Sequence, residues 1–97
     1  MRDNQLQAVE RYLHIHFPNR EILQDYDFDR GAQSFKVILE RESLLLKVTE
    51  TYLDDHQDID ILEALDRLEA GEALERTRGT GDGVIVTTAG LRIFHRG

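Results

Sequence analysis

The chain has 97 residues and no cysteine, so it is long enough for one domain and cannot form disulfides, thiol nucleophiles or thiolate zinc sites. Its formal net charge is −7, which disfavours binding to polyanions over most of the surface. No apolar run approaches the roughly 20 residues that a membrane-spanning helix needs. We therefore predict a single domain over residues 1–97 in the reducing cytoplasm. Ten Arg against two Lys are typical of a GC-rich bacterial genome.

The charge is distributed unevenly along the chain. From Glu50 to Glu75, Arg67 is the one basic residue, and this segment carries −9. The tail that follows carries +3, and its basic residues form the candidate basic patch Arg76, Arg78, Arg92 and Arg96. Such a polarised molecule is better suited to charge-complementary contacts with proteins than to a phosphate backbone.

The first predicted element is an amphipathic helix. Asn4 can cap it, with Gln7 three positions later as the reciprocal partner. Leu6 and Leu13 belong to an apolar stripe at helical spacing. Pro18 ends the helix, because the residue before a proline is pushed out of the α region.

Three strands follow as an antiparallel meander over residues 22–29, 34–41 and 44–53, each with alternating side chains. A second helix is then predicted, capped by Asp58 or Asp60 and ending at Gly71. Asp60 with Glu63 would form its capping pair.

The C-terminal part is predicted to be a hairpin. Residues 73–77 fit either a strand or a helical turn. A glycine-rich loop over 79–83 leads into strands at 84–88 and 91–95. The fold class is therefore α+β: an antiparallel sheet in the order α-β-β-β-α then a C-terminal β-hairpin, with two helices packed on one face.

Two motifs resemble ligand sites. Asp25, Asp27 and Asp29 alternate as in a calcium loop, but Arg30 and Lys36 occupy the positions that need glycine and glutamate, so an acidic strand edge is the better interpretation. The glycine-rich loop over 79–83 precedes a strand, whereas a phosphate cradle needs the N-terminus of a helix. We predict no metal and no cofactor.

Catalysis is not predicted either. His14 and His16 are two positions apart and face different sides of a helix, whereas a metal pair needs a spacing of three or four. The two serines, Ser34 and Ser43, do not lie in a nucleophile-elbow sequence. We therefore expect a protein that is not an enzyme.

Two features of the sequence bear on nucleic acid binding. The α-β-β-β-α order is also that of double-stranded RNA-binding domains, but the start of the second helix here is acidic, where those domains are basic. The C-terminal hairpin with Arg76 and Arg78 resembles a DNA-binding wing, although no basic recognition helix precedes it. DNA binding through the basic hairpin remains the alternative.

Protein binding is the preferred prediction. The central strands carry large apolar residues on both faces, which is more than a one-sided sheet needs, so we expect the second face to be covered by the hairpin or by another copy of the chain. Small acidic secretion chaperones share the element order, although they usually carry a further helix that this chain lacks, so the likeness is one of topology and composition only. We predict a non-catalytic adaptor-like or chaperone-like interaction module, a homodimer or a binder of another protein, with the candidate interaction surface Leu44, Leu45, Leu46, Ile38 and Val48.

Overall fold

A computed structural model describes residues 2–96. It contains four helices and five strands within that range, with the strands in one sheet in the order β1-β2-β3-β4-β5. The elements in chain order are α1 (Arg2–His16), β1 (Ile22–Asp27), β2 (Ala32–Ile38), β3 (Ser43–Thr49), α2 (Glu50–Asp54), α3 (Asp58–Arg67), α4 (Ala70–Arg76), β4 (Asp82–Thr87) and β5 (Gly90–His95).

The α+β class and the N-terminal meander are confirmed. β1 pairs antiparallel with β2, and β2 pairs antiparallel with β3. Alternation places Phe35 and Val37 of β2 opposite Leu46 and Leu44 of β3, and all four side chains are buried on one face of the sheet. α1 ends just before Pro18, as predicted, and Asn19 turns the chain with a left-handed φ of 64°.

The predicted third strand is too long, because residues 50–54 form the short helix α2. The Thr49 hydroxyl accepts a hydrogen bond from the Tyr52 N–H at 3.2 Å and caps this helix. The Glu50 N–H also donates to the Gly31 carbonyl at 2.9 Å, which joins the start of α2 to the β1–β2 turn. The chain therefore leaves the sheet at Thr49 and enters the helical layer.

The predicted second helix is broken into two. α3 ends at Arg67, and Glu69 then adopts a left-handed conformation with φ 57°, so Gly71 lies inside α4 and is not a stop signal. The cap of α3 is Gln57, without a side-chain cap bond, and the Asp60–Glu63 capping pair is not formed. Residues 70–76 are helical, which answers the question left open for the segment 73–77.

The sheet is mixed, which corrects the prediction of a purely antiparallel one. The crossover through α2, α3 and α4 returns the chain to the end of the sheet where β3 began, so β4 runs parallel to β3. β5 then pairs antiparallel with β4 and forms the far edge. The C-terminal hairpin thus widens the sheet and does not cover it.

Four helices, rather than the predicted two, lie on one face of the sheet. Their buried side chains form one continuous core with the strand residues that face them, and we call this side the helix face. Its largest fully buried members are Tyr12, Phe35, Leu13, Leu44, Leu46, Leu53, Ile61, Leu65 and Leu74.

Two buried tyrosines provide a matched test of this packing. The Tyr12 hydroxyl accepts a hydrogen bond from the buried Gly71 N–H at 2.8 Å, whereas the Tyr52 hydroxyl is buried with no partner. Burial raises the pKa of both phenols. We expect Tyr12→Phe to lower the free energy of unfolding by about 1–3 kcal/mol, because it leaves a buried donor unpaired. Tyr52→Phe should be neutral or stabilising, and urea unfolding of the two variants compares them directly.

Candidate interaction surface on the open face of the sheet

The structure divides the five predicted interaction residues between the two faces. Leu44, Leu46 and Val48 lie on the helix face and are fully buried in the core. Strand alternation places Ile38 and Leu45 on the opposite side, where both are partly exposed. A surface made of all five is therefore not available, and only Ile38 and Leu45 of the predicted set face outward.

In residues 2–96 no helix packs on this opposite side, which we call the open face. A groove of about 380 Å³ runs across its β1–β3 half. Leu45 lies in this groove beside Leu23, which is 47% exposed on β1. The groove residues on the open face are Leu23, Asp25, Ser34, Lys36, Leu45 and Lys47, and we call this set the open-face groove.

The open face is more basic than the molecule as a whole. Both lysines of the chain, Lys36 and Lys47, lie on it, and Arg92 projects from β5 on the same side. Among the described residues, neither Lys36 nor Arg92 forms an ion pair, and both are exposed. The acidic segment from Glu50 to Glu75 lies almost wholly in the helices behind the sheet. The charge asymmetry of the sequence therefore becomes an asymmetry between two layers.

An aromatic residue closes one end of the open face. The Phe94 ring lies against Gly83, where an added Cβ would come within 2.6 Å of the ring. The Arg30 guanidinium lies 4.9 Å from the centre of the ring and the Lys47 ammonium 5.2 Å from it. Both are cation–π distances. Arg30 comes from the β1–β2 turn, so its side chain links that turn to the opposite edge strand.

The sequence predicts that the second face of the sheet is covered, and the exposure of the apolar side chains on the open face bears on this prediction. Ile85 of β4 projects from the open face, yet it is only 9% exposed. Leu45, one strand away, is partly exposed, and Leu23 at the edge is more so. Within the described chain, no second layer of secondary structure lies on this face, and the C-terminal hairpin is part of the sheet itself.

Asp27 anchors the cations beside Phe94. Its carboxylate lies 2.5 Å from the Lys47 ammonium and 3.8 Å from Arg30, and it accepts backbone N–H groups from Asp29 and Arg30. The hydrogen bond from Lys47 is the main reason that the pKa of Asp27 is lowered below its ordinary value. The carboxylate therefore stabilises the fold in its charged form.

This lowered pKa predicts a pH dependence for Asp27→Asn. The contribution of Asp27 is complete above the unfolded-state pKa, about 3.9, and is lost as the pH falls through the lower folded-state pKa. We expect the native chain to be more stable than Asp27→Asn by a constant margin above about pH 5, and the margin to close at more acidic pH. Urea unfolding across this range measures it. Asp29→Asn, in the same turn, is the matched control, and an equal pH dependence in both variants would contradict the assignment.

The four arginines of the predicted basic patch are not brought together on one surface. Arg92 lies on the open face, whereas Arg76 lies in the last turn of α4 and Arg78 pairs with Glu75 at 3.0 Å. Arg96 donates to the Ser43 carbonyl at 2.7 Å, at the start of β3. A duplex laid on the C-terminal hairpin would meet only some of these cations.

The other candidate ligand motifs lie in separate places. Asp25 belongs to the open-face groove, while Asp27 is occupied by Lys47 and by the turn. Gly79 and Gly81 have positive φ in the loop before β4, and the Glu42 carboxylate accepts the Gly79 N–H at 2.8 Å. In residues 2–96 no group of three or more His, Cys, Asp or Glu side chains is placed to hold a metal ion.

A pocket beside α2 was not predicted from the sequence. It has a volume of about 320 Å³ and lies between α2, α3 and the β4–β5 turn. The His56 ring stacks on Tyr52 at a centroid distance of 4.1 Å, and its Nδ1 lies 2.8 Å from the Tyr52 carbonyl. The spacing of Tyr52 and His56 would have suggested the stack, had residues 50–54 been recognised as helical.

Comparison with family models, with curated proteins and with solved structures found no match for this chain. Among the described residues, none of the helices combines the length and the apolar character needed to cross a membrane.

Proposed function

We propose that this chain is a non-catalytic interaction module that binds a partner protein through the open face of its sheet. The observation that carries the proposal is the open-face groove, where Leu23 and Leu45 remain accessible beside the lysines, although the apolar side chains on the other face of β2 and β3 are buried in the core. Apolar side chains flanked by charges on a rigid sheet are typical of protein-binding surfaces.

The charges of this face favour an acidic partner. Lys36 and Arg92 stand without an ion pair among the described residues, whereas Lys47 is held by Asp27. A segment with apolar side chains flanked by carboxylates would fill the groove and pair with these cations. The acidic helices on the other side would repel the same segment, so the charge distribution favours one face for binding.

The open face is less suited to nucleic acid than to protein. Sheets that bind single strands stack bases on exposed aromatic rings. Among the described strand residues, Phe94 is the one aromatic side chain on the open face, and its ring already lies against Gly83 with two cations beside it. The net charge of −7 further weakens attraction for a phosphate backbone.

A binding role also agrees with the chemistry of the groove. Its one hydroxyl belongs to Ser34, and a serine nucleophile needs an adjacent general base such as histidine. The four histidines lie elsewhere, on α1, after α2 and at the end of β5. The exposed Lys36 is therefore best understood as a contact for a partner, whereas Lys47 holds Asp27 and Phe94 in place.

The proposal is tested by affinity capture from the native host, with nuclease-treated extract and identification by mass spectrometry. We compare the native chain with Leu45→Glu in the groove and with Ile59→Glu at the start of α3, which is 80% exposed. A specific partner should be retained equally by the native chain and Ile59→Glu, and reduced about tenfold or more by Leu45→Glu.

Leu23→Glu serves as a second groove variant, since an exposed edge position tolerates a charge without unfolding the chain. Circular dichroism melts confirm that each variant is folded. Reversing charge with Lys36→Glu should weaken capture and reduce its salt dependence. Capture that is unchanged by both groove variants, or that disappears on nuclease treatment, would contradict the proposal.

A further inference from the structure

Within residues 2–96, no strand pairs with the outer side of the edge strand β5. The Arg96 N–H donates to the Gly81 carbonyl at 3.3 Å, and in an antiparallel ladder every second pair exchanges hydrogen bonds. The pairs Gly83–Phe94 and Ile85–Arg92 are therefore the bonded ones. The N–H and C=O groups of the intervening residues, Leu91, Ile93 and His95, point away from the sheet.

The two edges of the sheet differ in how they are protected. β1 carries Asp25 and Asp27 within the strand, and carboxylates discourage strand pairing at an edge. β5 has the sequence Gly-Leu-Arg-Ile-Phe-His, with no acidic residue and no proline. Ile93 is 51% exposed on this strand. An edge of this kind is a template for pairing with another strand.

We propose that β5 pairs antiparallel with β5 of a second copy about a two-fold axis at Ile93, which joins two five-stranded sheets into one of ten strands. The surface is distinct from the open-face groove, so this proposal and the proposed function stand or fail separately. The dimer leaves both grooves uncovered and presents them side by side.

The axis at Ile93 is preferred to its neighbours for two reasons. It lets Leu91, Ile93 and His95, whose backbone groups point outward, all take part in the new ladder. It also sets Arg92 opposite the uncharged Phe94 of the second copy, so that no two like charges face each other directly across the junction. An axis at Arg92 would instead set two arginines directly opposite each other, and like charges in that position are destabilising.

The side chains at this junction are self-complementary. Ile93 faces Ile93 of the second copy on the helix side of the sheet, so the exposed apolar side chain becomes buried at the centre of the junction. The acidic segment from Glu50 to Glu75 lies in the crossover helices, not in β5, so repulsion between copies acts at long range and is screened by salt. We therefore expect moderate salt to strengthen the dimer.

Single-cysteine variants test the pairing and its register, because the chain has no cysteine of its own. With the axis at Ile93, the two Cα atoms at position 93 are about 5.5 Å apart, within the range that a disulfide spans. Mild oxidation should convert Ile93→Cys to a covalent dimer. His95→Cys, on the same strand, and Leu23→Cys, on the other edge, should cross-link at least about tenfold more slowly, because their counterparts are beyond disulfide reach.

Ile93→Pro tests the association without cross-linking. Because the Ile93 N–H points outward, proline removes a donor needed by the second copy and no bond within the sheet. By sedimentation, the native chain should be a dimer at about 100 µM, and Ile93→Pro a folded monomer. A monomeric native chain at that concentration, a dimer that persists in Ile93→Pro, or equal cross-linking of Ile93→Cys and Leu23→Cys would overturn the proposal. Ile93→Lys repeats the test if the proline variant does not fold.

Discussion

Gly71→Ala should lower the free energy of unfolding by about 1–3 kcal/mol, although alanine is normally the better helix former. A Cβ at this position would lie 2.6 Å from Cγ and 2.7 Å from Cε1 of His16. The Gly71 N–H also donates to the buried Tyr12 hydroxyl, so the helix cannot move away without breaking that bond. α1 and α4 approach each other here because residue 71 has no side chain.

The double variant His16→Ala with Gly71→Ala separates the clash from other effects. Removing the imidazole should make Gly71→Ala neutral or stabilising, since only the helix-propensity gain of about 1 kcal/mol then remains. Equal destabilisation by Gly71→Ala with and without His16 would show that the close approach to the ring is not the cause. Urea unfolding of the native chain, of Gly71→Ala, of His16→Ala and of the double variant measures this coupling.

Gly83→Ala should be destabilising by a similar amount, about 1–3 kcal/mol, measured by thermal or urea unfolding. A Cβ on Gly83 would lie 2.6 Å from Cζ and 2.8 Å from Cε1 of Phe94, and 3.0 Å from the Leu45 carbonyl oxygen. Without the clash, alanine would be favoured over glycine in a strand. The ring must therefore leave its place on the sheet, together with its contacts to Arg30 and Lys47.

Phe94→Leu is the matched background for this variant. In the Phe94→Leu background, Gly83→Ala should lower the free energy of unfolding by less than it does in the native chain. It should still be destabilising, because the Leu45 carbonyl belongs to the backbone and remains close to the added methyl group. An equal loss of free energy of unfolding in both backgrounds would show that Phe94 is not packed on Gly83. It would contradict the statement that the Phe94 ring closes one end of the open face. The same variants therefore test part of the candidate surface as well as stability.

The meander was predictable because each of its strands alternates clearly. Phe35 and Val37 on β2, with Leu44 and Leu46 on β3, form a periodic apolar pattern, and the structure keeps all four on one face. Alternation separates the two faces of a strand, but it does not indicate which of them the helices cover. The leucine run of β3 therefore predicted a surface that included Leu44 and Leu46, whereas these two are core residues.

The direction of β4 could not be predicted once residues 50–53 had been assigned to a strand. The signal that was present is Thr49, a good N-cap residue, whose hydroxyl accepts the Tyr52 N–H. A helix between two strands allows a crossover and a parallel pair but does not require one, so the helix predicted between the third strand and the hairpin left the direction of β4 open. The prediction that a helix ends at Gly71 was also wrong. Glycine is a common residue at the end of a helix, but here it lies within α4 and allows a close approach between helices.

The candidate surface was predictable only in part. The sequence indicated excess apolar residues and an uneven charge, and Ile38 and Leu45 do lie on an uncovered side of the sheet. The contact of Arg30 and Lys47 with Phe94 joins residues far apart in the chain, and no local pattern encodes such a pair. A glycine inside an apolar strand, as at Gly83, was the available hint of a close-packed ring.

Acetylation of the two lysines tests most directly whether the second side of the sheet lies open and binds the partner. Both lysines are on that side, but Lys36 is exposed, whereas the Lys47 side chain is 14% exposed and paired with Asp27. In the free chain, mass spectrometry should find Lys36 modified much faster than Lys47, and in the captured complex Lys36 should become protected. Slow modification of Lys36 in the free chain would contradict the claim that this side of the sheet is open. An unchanged rate for Lys36 in the complex would contradict the claim that it binds the partner.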